Sequence, residues 1–233
     1  MPTVVVIPTY NERENIETLV HEVLALPLDL HIVVVDDNSP DGTGEVADAL
    51  AYQYPEVHVI HRPWKAGLGS AYIAGFKRAI ELEADLVMTM DADFSHQPRY
   101  IPELVGMTQE KHLVIGSRYV DGGGTLFCTV GRRLLSQSAN TFARLMLNLQ
   151  AHDCTAGFRC YRREMLESID LDSIFSEGYS FLVEMLYKCQ QRGYSIGEVP
   201  IIFRNREHGA SKISRQEILK AIYTVLRLSL QRL

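Results

Sequence analysis

Four short apolar runs, TVVVIP, HIVVVDD, VHVIHR and DLVMTM, alternate with helical segments across the first ninety residues. The runs are rich in β-branched residues and nearly continuous in apolar character, which is how strands read when both faces of a parallel sheet are covered. Between them, NERENIETLVHEVLAL places Ile16, Leu19, Val20, Val23 and Leu24 at helical spacing, and GEVADALAYQY and SAYIAGFKRAIELE are helix-like as well. Asn11 and Glu14, three apart, predict a capping box at the first helix. The alternation predicts an α/β fold with a mainly parallel central sheet and helices on both faces. Sheets of this kind bind ligands beyond the carboxyl ends of their strands. Here each of the four strands ends in a polar cluster: PTYNE, DDNSPDGT, RPWKAGLG and DADFSH. Four clusters on one edge predict one site.

The second half is less regular. HLVIGSRY predicts a strand ending in Arg118, followed by a glycine-rich, mobile stretch, DGGGT. GRRLLSQSANTFARLMLNL and SFLVEMLYKCQQRG predict helices, and DCTAGFRCYRREML a loop and then a helix. YSIGEVPIIFRNREHG is strand-like, and ISRQEILKAIYTVLRLSL predicts an amphipathic terminal helix. No linker, repeat or low-complexity segment interrupts the chain, so one domain over residues 1–233 is expected. The four cysteines, Cys128, Cys154, Cys160 and Cys189, form no CxxC pair, and reduced core residues are expected. MPTVVVIP lacks the basic start of a signal peptide, and no run approaches the roughly 18 apolar residues that span a bilayer. A cytoplasmic protein is the expectation. Net charge is −6, yet from Arg204 onward seven Lys and Arg face only Glu207 and Glu217, a balance of +5. That basic end predicts either an anionic partner or a solvated helix face; nucleic acid is not the partner expected.

A dinucleotide-binding fold places its glycines in the first strand–helix turn, and Thr9-Tyr10-Asn11-Glu12-Arg13 contains none. No GxxxxGK[ST] is present either, which argues against a P-loop nucleotidase. Asp91 and Asp93 end the fourth strand. In an extended chain residues two apart project to the same side, so both carboxylates can face one point. A hard cation such as Mg²⁺ or Mn²⁺ is held by one or two carboxylates plus phosphates and water, and it removes their mutual repulsion. The pair alone also suits a turn or a helix cap.

Six segments in order, VVVIPTYNERENI, VVVDDNSPDGT, RPWKAGLGSAYIAGF, MDADFSHQP, IGSRYVDGG and DCTAGFRCYRREML, resemble the family 2 glycosyltransferases of GT-A fold. KAGLGSAY, GSRY with DCTAGFR, and RNREHGASK point to the dolichol-phosphate and polyprenol-phosphate mannose synthases within that family. The resemblance implies a nucleotide-sugar half over about residues 1–120 and an acceptor half with amphipathic helices over about 121–233. Pro8, Tyr10 and Glu12 match the family's first nucleotide-contacting loop, and Asp37 the acid that reads the base, with turn chemistry the alternative for Asp36, Asp37 and Asn38. Lys65 and Gly67 fall where a cation and close backbone approach suit phosphate or ribose. Asp91, Ala92 and Asp93 match the metal- and nucleotide-binding DxD. Close relatives often carry Gln two places after the second Asp; Ser95 stands there, with His96 or water as substitutes.

Arg118 and Arg132 or Arg133 match arginines that hold the phosphate of a lipid acceptor, with Ser136 beside them. Arg206 and Lys212 match a closing loop that reaches the diphosphate, with Gly209 as a hinge. Asp153 is either a general base for a hydroxyl acceptor or an orienter of arginines or sugar hydroxyls, since a phosphate monoester attacks unaided. The resemblance implies inverting transfer of mannose from GDP-mannose to a polyprenyl or dolichyl phosphate, with Mg²⁺ or Mn²⁺ as cofactor. Its rivals are another nucleotide sugar such as UDP-glucose, a soluble hydroxyl acceptor, or a non-catalytic nucleotide-sugar-binding subunit. A lipid acceptor implies peripheral contact with the cytoplasmic face of a membrane, alone or with a membrane-spanning partner subunit. Leu135, Phe142, Met146 and Leu149 on the basic helix from Arg132 to Leu149, and Ile218, Ile222, Val225 and Leu226 on the last helix, are the candidate interfacial faces. Core packing gives the same periodicity.

Overall fold

The structure, a computed structural model, describes residues 1–127, 129–204 and 215–230; the side chains of Arg132 and of residues 215–218 lie outside that description. The four apolar runs are strands β1 (Thr3–Thr9), β2 (Leu30–Asp36), β3 (Val57–His61) and β4 (Leu86–Thr89), all parallel, in the order β3-β2-β1-β4. Helices α1 (Arg13–Leu24), α2 (Thr43–Gln53) and α3 (Leu68–Glu81) connect them. Continuous apolarity follows from coverage on both faces. Val4, Val6, Val33 and Val35 pack with Ala71, Tyr72 and Phe76 of α3. Val5, Ile7, Ile32 and Val34 pack with Ile16 and Leu19 of α1 and Ala47 of α2. A 3₁₀ turn over Pro98–Tyr100 leads into α4 (Ile101–Met107), which joins this second layer through Ile101 and Leu104.

The predicted capping box is absent. Helix α1 starts from Glu12, whose backbone N–H donates to Thr43 Oγ1 at 3.0 Å, while the Arg13 N–H donates to Asp41 Oδ2 at 3.2 Å. Asp41 from the loop after β2 and Thr43 at the start of α2 thus cap the helix, and Asn11 stands in the left-handed region at φ 59°. Tertiary contact has replaced the local cap.

Strand β5 (Leu113–Ser117) carries Arg118 just past its end, as expected. The larger correction concerns DCTAGFRCYRREML. Residues Arg159–Arg162 form strand β7, antiparallel between β4 and β5, before a short helix α6 (Arg163–Ser168). Four residues flanked by arginine are too few and too charged to display a strand period. With β8 (Ile196–Pro200) parallel to β5, the sheet runs β3-β2-β1-β4-β7-β5-β8. Because β7 runs backwards, the loop preceding it, Asp153–Phe158, emerges at the edge where β4 and β5 end.

The glycine-rich stretch leads into strand β6 (Gly124–Leu126), which pairs in parallel with β9 (Ile202–Arg204). A Cβ at Gly123 would stand 2.6 Å from the Ser117 carbonyl oxygen, so this glycine serves close backbone approach. Helices α5 (Val130–Leu147), α7 (Ser180–Gln191) and α8 (Arg215–Leu230) complete the α3 side. Cys154, Cys160 and Cys189 are buried free thiols, while Cys128 lies outside the described residues.

Helix α3 lies so close to β1 that a Cβ on Gly75 would come within 2.1 Å of Val6 Cγ1. Gly75→Ala is therefore expected to destabilise by about 1–3 kcal/mol despite alanine's better helix propensity. At this chain length each kcal/mol lowers the melting temperature by about 2–4 °C. A variant melting at or above the parent temperature would contradict the close packing.

Candidate active site at the carboxyl edge of the sheet

The clusters after β1, β2 and β3 meet on one edge. Asp36 is buried and its carboxylate is used locally, accepting from Thr9 Oγ1 at 3.0 Å, Ser39 N at 3.0 Å and Ser39 Oγ at 2.5 Å. Its neighbour Asp37 pairs instead with Arg62 Nη1 at 3.1 Å. Burial raises the Asp37 pKa, against the lowering effects of the Arg62 charge and the Gly67 and Ala66 N–H groups. Arg62 also donates to Ser70 Oγ at 2.8 Å, which ties β3 to α3. Sequence reasoning passed over Arg62, although its place directly after β3 in a polar cluster was a usable signal. The Lys65 ammonium sits 3.7 Å above the Tyr10 ring, and Gly67 starts α3 at φ 96°. Pro8 is half-buried within β1, and Glu12 is nearly buried, with Oε2 accepting from Asn15 Nδ2 at 3.0 Å.

Beyond β4, Met90 and Ala92 are buried while Asp91 and Asp93 reach the surface, the alternation expected of two carboxylates on one side. Asp91 is held closely. Tyr72, wholly buried in α3, donates to Asp91 Oδ1 at 3.3 Å, and the Asp91 N–H donates to His96 Nδ1 at 3.1 Å. Asp93 Oδ1 accepts from Ser95 N at 3.1 Å. His96 is stacked on Phe158 at 5.1 Å, and its Nδ1 is engaged by the backbone. The Ser95 hydroxyl is buried, away from the solvent that wets the two aspartates, and has no hydrogen-bond partner among the described residues. No group of three or more His, Cys, Asp or Glu able to hold a metal occurs among the described residues. Two accessible carboxylates fit a hard cation that completes its shell with water and substrate oxygens, not one caged by protein.

Arg118 and Asp153 form a buried bidentate pair at this edge. Arg118 Nε donates to Asp153 Oδ2 and Nη2 to Oδ1, both at 2.7 Å, and the Arg118 N–H adds a third bond at 3.1 Å. The carboxylate is fully buried and the guanidinium is 13% exposed. Burial alone would raise the Asp153 pKa, but Arg118 outweighs it and holds the carboxyl below the usual range. Burial likewise opposes the Arg118 charge, and Asp153 more than offsets it, so the guanidinium is held protonated. Both Asp153 oxygens are committed, a geometry that suits orienting an arginine better than taking a proton.

Three residues that sequence reasoning missed build this loop. Arg159, fully buried, donates to the carbonyls of Cys154 at 2.8 Å, Ala156 at 2.8 Å and Leu182 at 2.7 Å. Glu198 on β8 accepts from the N–H groups of His152 at 2.8 Å and Asp153 at 3.0 Å. Asn140 on α5 accepts from Cys154 N at 2.7 Å. None carries a local signature, because each partner is distant in sequence or is backbone.

A cavity of about 370 Å³ joins these groups, with Asp91, His96, Arg118, Arg133 and Ser136 among its lining residues. Its other walls are apolar side chains from α5, α7 and α8, among them Phe142, Leu182, Ile222 and Val225. Ser136 accepts from the Tyr119 hydroxyl at 2.8 Å. The Arg132 side chain, Arg206, Gly209 and Lys212 lie outside the described residues. On α5, Leu135 and Met146 are exposed, as are Leu134 and Leu145, whereas Leu149 is buried past the helix end, where Asn148 turns the chain at φ 53°. On α8, Val225 packs inward and Leu219, Tyr223, Leu226 and Leu230 face out. No helix among the described residues is long and apolar enough to cross a membrane.

Residues 4–170 match the family described as glycosyl transferase family 2. Polyprenol monophosphomannose synthase of Mycolicibacterium smegmatis is 47% identical over 225 residues, covering 96% of this chain and 85% of that protein. Undecaprenyl-phosphate mannosyltransferase of Micrococcus luteus is 44% identical over 227 residues, covering 97% of this chain and 93% of its own. The solved structure of glucosyl-3-phosphoglycerate synthase from Mycobacterium tuberculosis, in complex with Mn²⁺, uridine diphosphate and glucosyl-3-phosphoglycerate, superposes with a TM-score of 0.72 at 21% identity, over 98% of this chain and 80% of that one. A mannosyltransferase from Pyrobaculum calidifontis in complex with GDP-Man and Mn²⁺ gives 0.65 at 16% identity, over 97% and 64%. These structural likenesses carry the GT-A fold. The family match over most of the chain and the near-complete coverage by two relatives carry more: the chain belongs to the family 2 glycosyltransferases.

Proposed function

We propose that the protein transfers mannose from GDP-mannose to a polyprenyl or dolichyl phosphate, inverting the anomeric carbon. The observation that carries this reading is the lining of the cavity: Asp91, Arg118 and Arg133 share it with apolar side chains from α5, α7 and α8. A soluble hydroxyl acceptor has no use for such walls, and an amphiphilic phosphate needs both kinds of lining. The names of the two relatives, at 47% and 44% identity, point the same way.

In this reading Pro8, Tyr10, Glu12, Lys65 and Gly67 form the nucleotide cradle, and Asp37, set by Arg62, reads the base. Asp91, Ala92 and Asp93 supply the divalent cation site, with Asp91 aimed by Tyr72. A Mg²⁺ or Mn²⁺ ion held by these carboxylates would supply positive charge to offset that developing on the departing diphosphate. Arg118, with Arg133 or Arg132 and Ser136, holds the acceptor phosphate. One phosphate oxygen forms the new bond to the anomeric carbon as the bond to the diphosphate breaks, and GDP departs. A phosphate monoester with a second pKa near about 6 is already largely dianionic at neutral pH, so no base is needed. Asp153 serves by aiming Arg118. Arg206 and Lys212 are assigned to the diphosphate through the family resemblance. The outward apolar faces of α5 and α8, with Lys220 and Arg227 on α8, would rest on the cytoplasmic leaflet without crossing it.

A panel of radiolabelled nucleotide sugars offered with polyprenyl phosphate and Mn²⁺ tests the reading, scored by label extracted into organic solvent. Label is expected from GDP-mannose. Label from a UDP-sugar alone would reassign the donor, and none from any donor would remove the enzymatic reading.

A further inference from the structure

Thr155 stands between Arg118 and helix α5, and every hydrogen-bonding capacity of its hydroxyl is used. Oγ1 accepts from Arg118 Nη2 at 3.0 Å and from Asn140 Nδ2 at 3.2 Å, and its proton points to Asp153 Oδ1 at 3.4 Å. Asn140 is itself fixed. Its Oδ1 accepts from Cys154 N at 2.7 Å, which sets the amide orientation, and Nδ2 also donates to Ser136 O at 2.9 Å. From the other side Glu198 pins the backbone of residues 152 and 153. Arg118 is therefore aimed by two groups of one loop, Asp153 and Thr155, and of these the Thr155 hydroxyl bonds directly to a side chain of α5. That helix forms one wall of the cavity and carries the exposed Leu134 and Leu145 on its outer side.

We infer that Thr155 is a positioning residue for acceptor recognition, registering the Arg118 guanidinium against α5. The inference rests on Arg118 holding the acceptor phosphate. Among the described residues Nε and both Nη2 hydrogens of Arg118 are committed to Asp153 and Thr155, which leaves Nη1 to meet the phosphate. A charge-assisted contact of this kind is directional, so loss of one of two guides should cost acceptor binding. Donor binding involves none of these bonds. With both hydroxyl lone pairs and its proton engaged, a valine of similar size removes all three bonds at once, and a serine keeps them.

The test compares Thr155→Val, Thr155→Ala, Thr155→Ser and Arg118→Lys by initial rates, using farnesyl phosphate in detergent micelles and labelled GDP-mannose. Thr155→Val and Thr155→Ala are expected to raise the acceptor KM by about tenfold, the scale of a hydrogen bond to a charged group. The donor KM should stay within about twofold, and Thr155→Ser should restore the acceptor KM to about the same margin. Alanine serves if the buried valine does not fold. A merely structural role would cost melting temperature and turnover without separating the two KM values. The inference is overturned if Thr155→Val or Thr155→Ala leaves the acceptor KM unchanged while Arg118→Lys raises it. Equal rises in both KM values, or no rescue by serine, overturn it as well. If Arg118→Lys itself spares the acceptor KM, the assignment of Arg118 to the phosphate is what fails.

Discussion

Asp91→Ala is expected to lower turnover by about 10²- to 10³-fold at saturating nucleotide sugar, the scale of losing one preorganised stabiliser of developing charge. The expectation follows from how firmly this carboxylate is aimed. Tyr72 donates to one oxygen, the backbone N–H is anchored on His96, and Asp93 stands two residues on at the surface. Removing the side chain also strands the buried Tyr72 hydroxyl, which costs about 1–3 kcal/mol by itself. Asp91→Asn separates the two effects, since its amide oxygen still accepts from Tyr72 while the charge is gone. It should be as inactive as the alanine variant and melt near the parent temperature. Initial rates across a Mn²⁺ titration, beside a thermal melt, provide the check, and a loss below about tenfold for Asp91→Ala would falsify the metal role.

The second large effect is on stability as well as activity. Asp153→Ala leaves Arg118, only 13% exposed, without its counter-charge. Breaking one side of a buried ion pair typically costs about 3–5 kcal/mol, which for a chain of this size is a fall in melting temperature of about 6–20 °C. Acceptor transfer should fall with it. The pH dependence has a definite sign. The folded Asp153 pKa is lowered from the ordinary 3.8, because Arg118 outweighs the cost of burial. Its stabilisation is therefore complete above the ordinary carboxylate value and drains away as pH falls through the lower folded value. The gap in melting temperature between the parent and Asp153→Ala should stay constant from about pH 8 to 5 and narrow only in stronger acid. A gap that already closes near neutrality would mean that the pair is not the source of the stability.

Much of the edge beyond β1, β2 and β3 was legible in the chain because its signals are local. Parallel strands all end on one edge, so polar clusters after successive strands converge without any need to know the packing. Asp36 and Asp37 show the limit of that logic. Adjacent and chemically identical, they part only in the fold, one spent on Thr9 and Ser39 and the other on Arg62. The capping box failed for a similar reason: Asp41 and Thr43, 28 and 31 residues beyond the N–H groups they accept from, supply the cap expected of Asn11. Tyr72 was invisible as a support of Asp91, since a buried aromatic residue in a helix reads as core, and His96, read as a candidate ligand, accepts from the Asp91 N–H.

The sequence by itself determined the alternating layers, the site edge and the family, because hydrophobic period and turn chemistry are written within a few residues of each element. Only the tertiary structure decided the surroundings of Arg118. Strand β7 enters the sheet between β4 and β5, and its reversed direction delivers Asp153 to Arg118 across 35 positions. That pairing converts a residue open to two roles into the buried partner of an arginine, and it places Thr155 and Asn140 where α5 can be tied to the site. Its cause is the choice of strand neighbours in the sheet, a long-range property that no window of local periodicity contains.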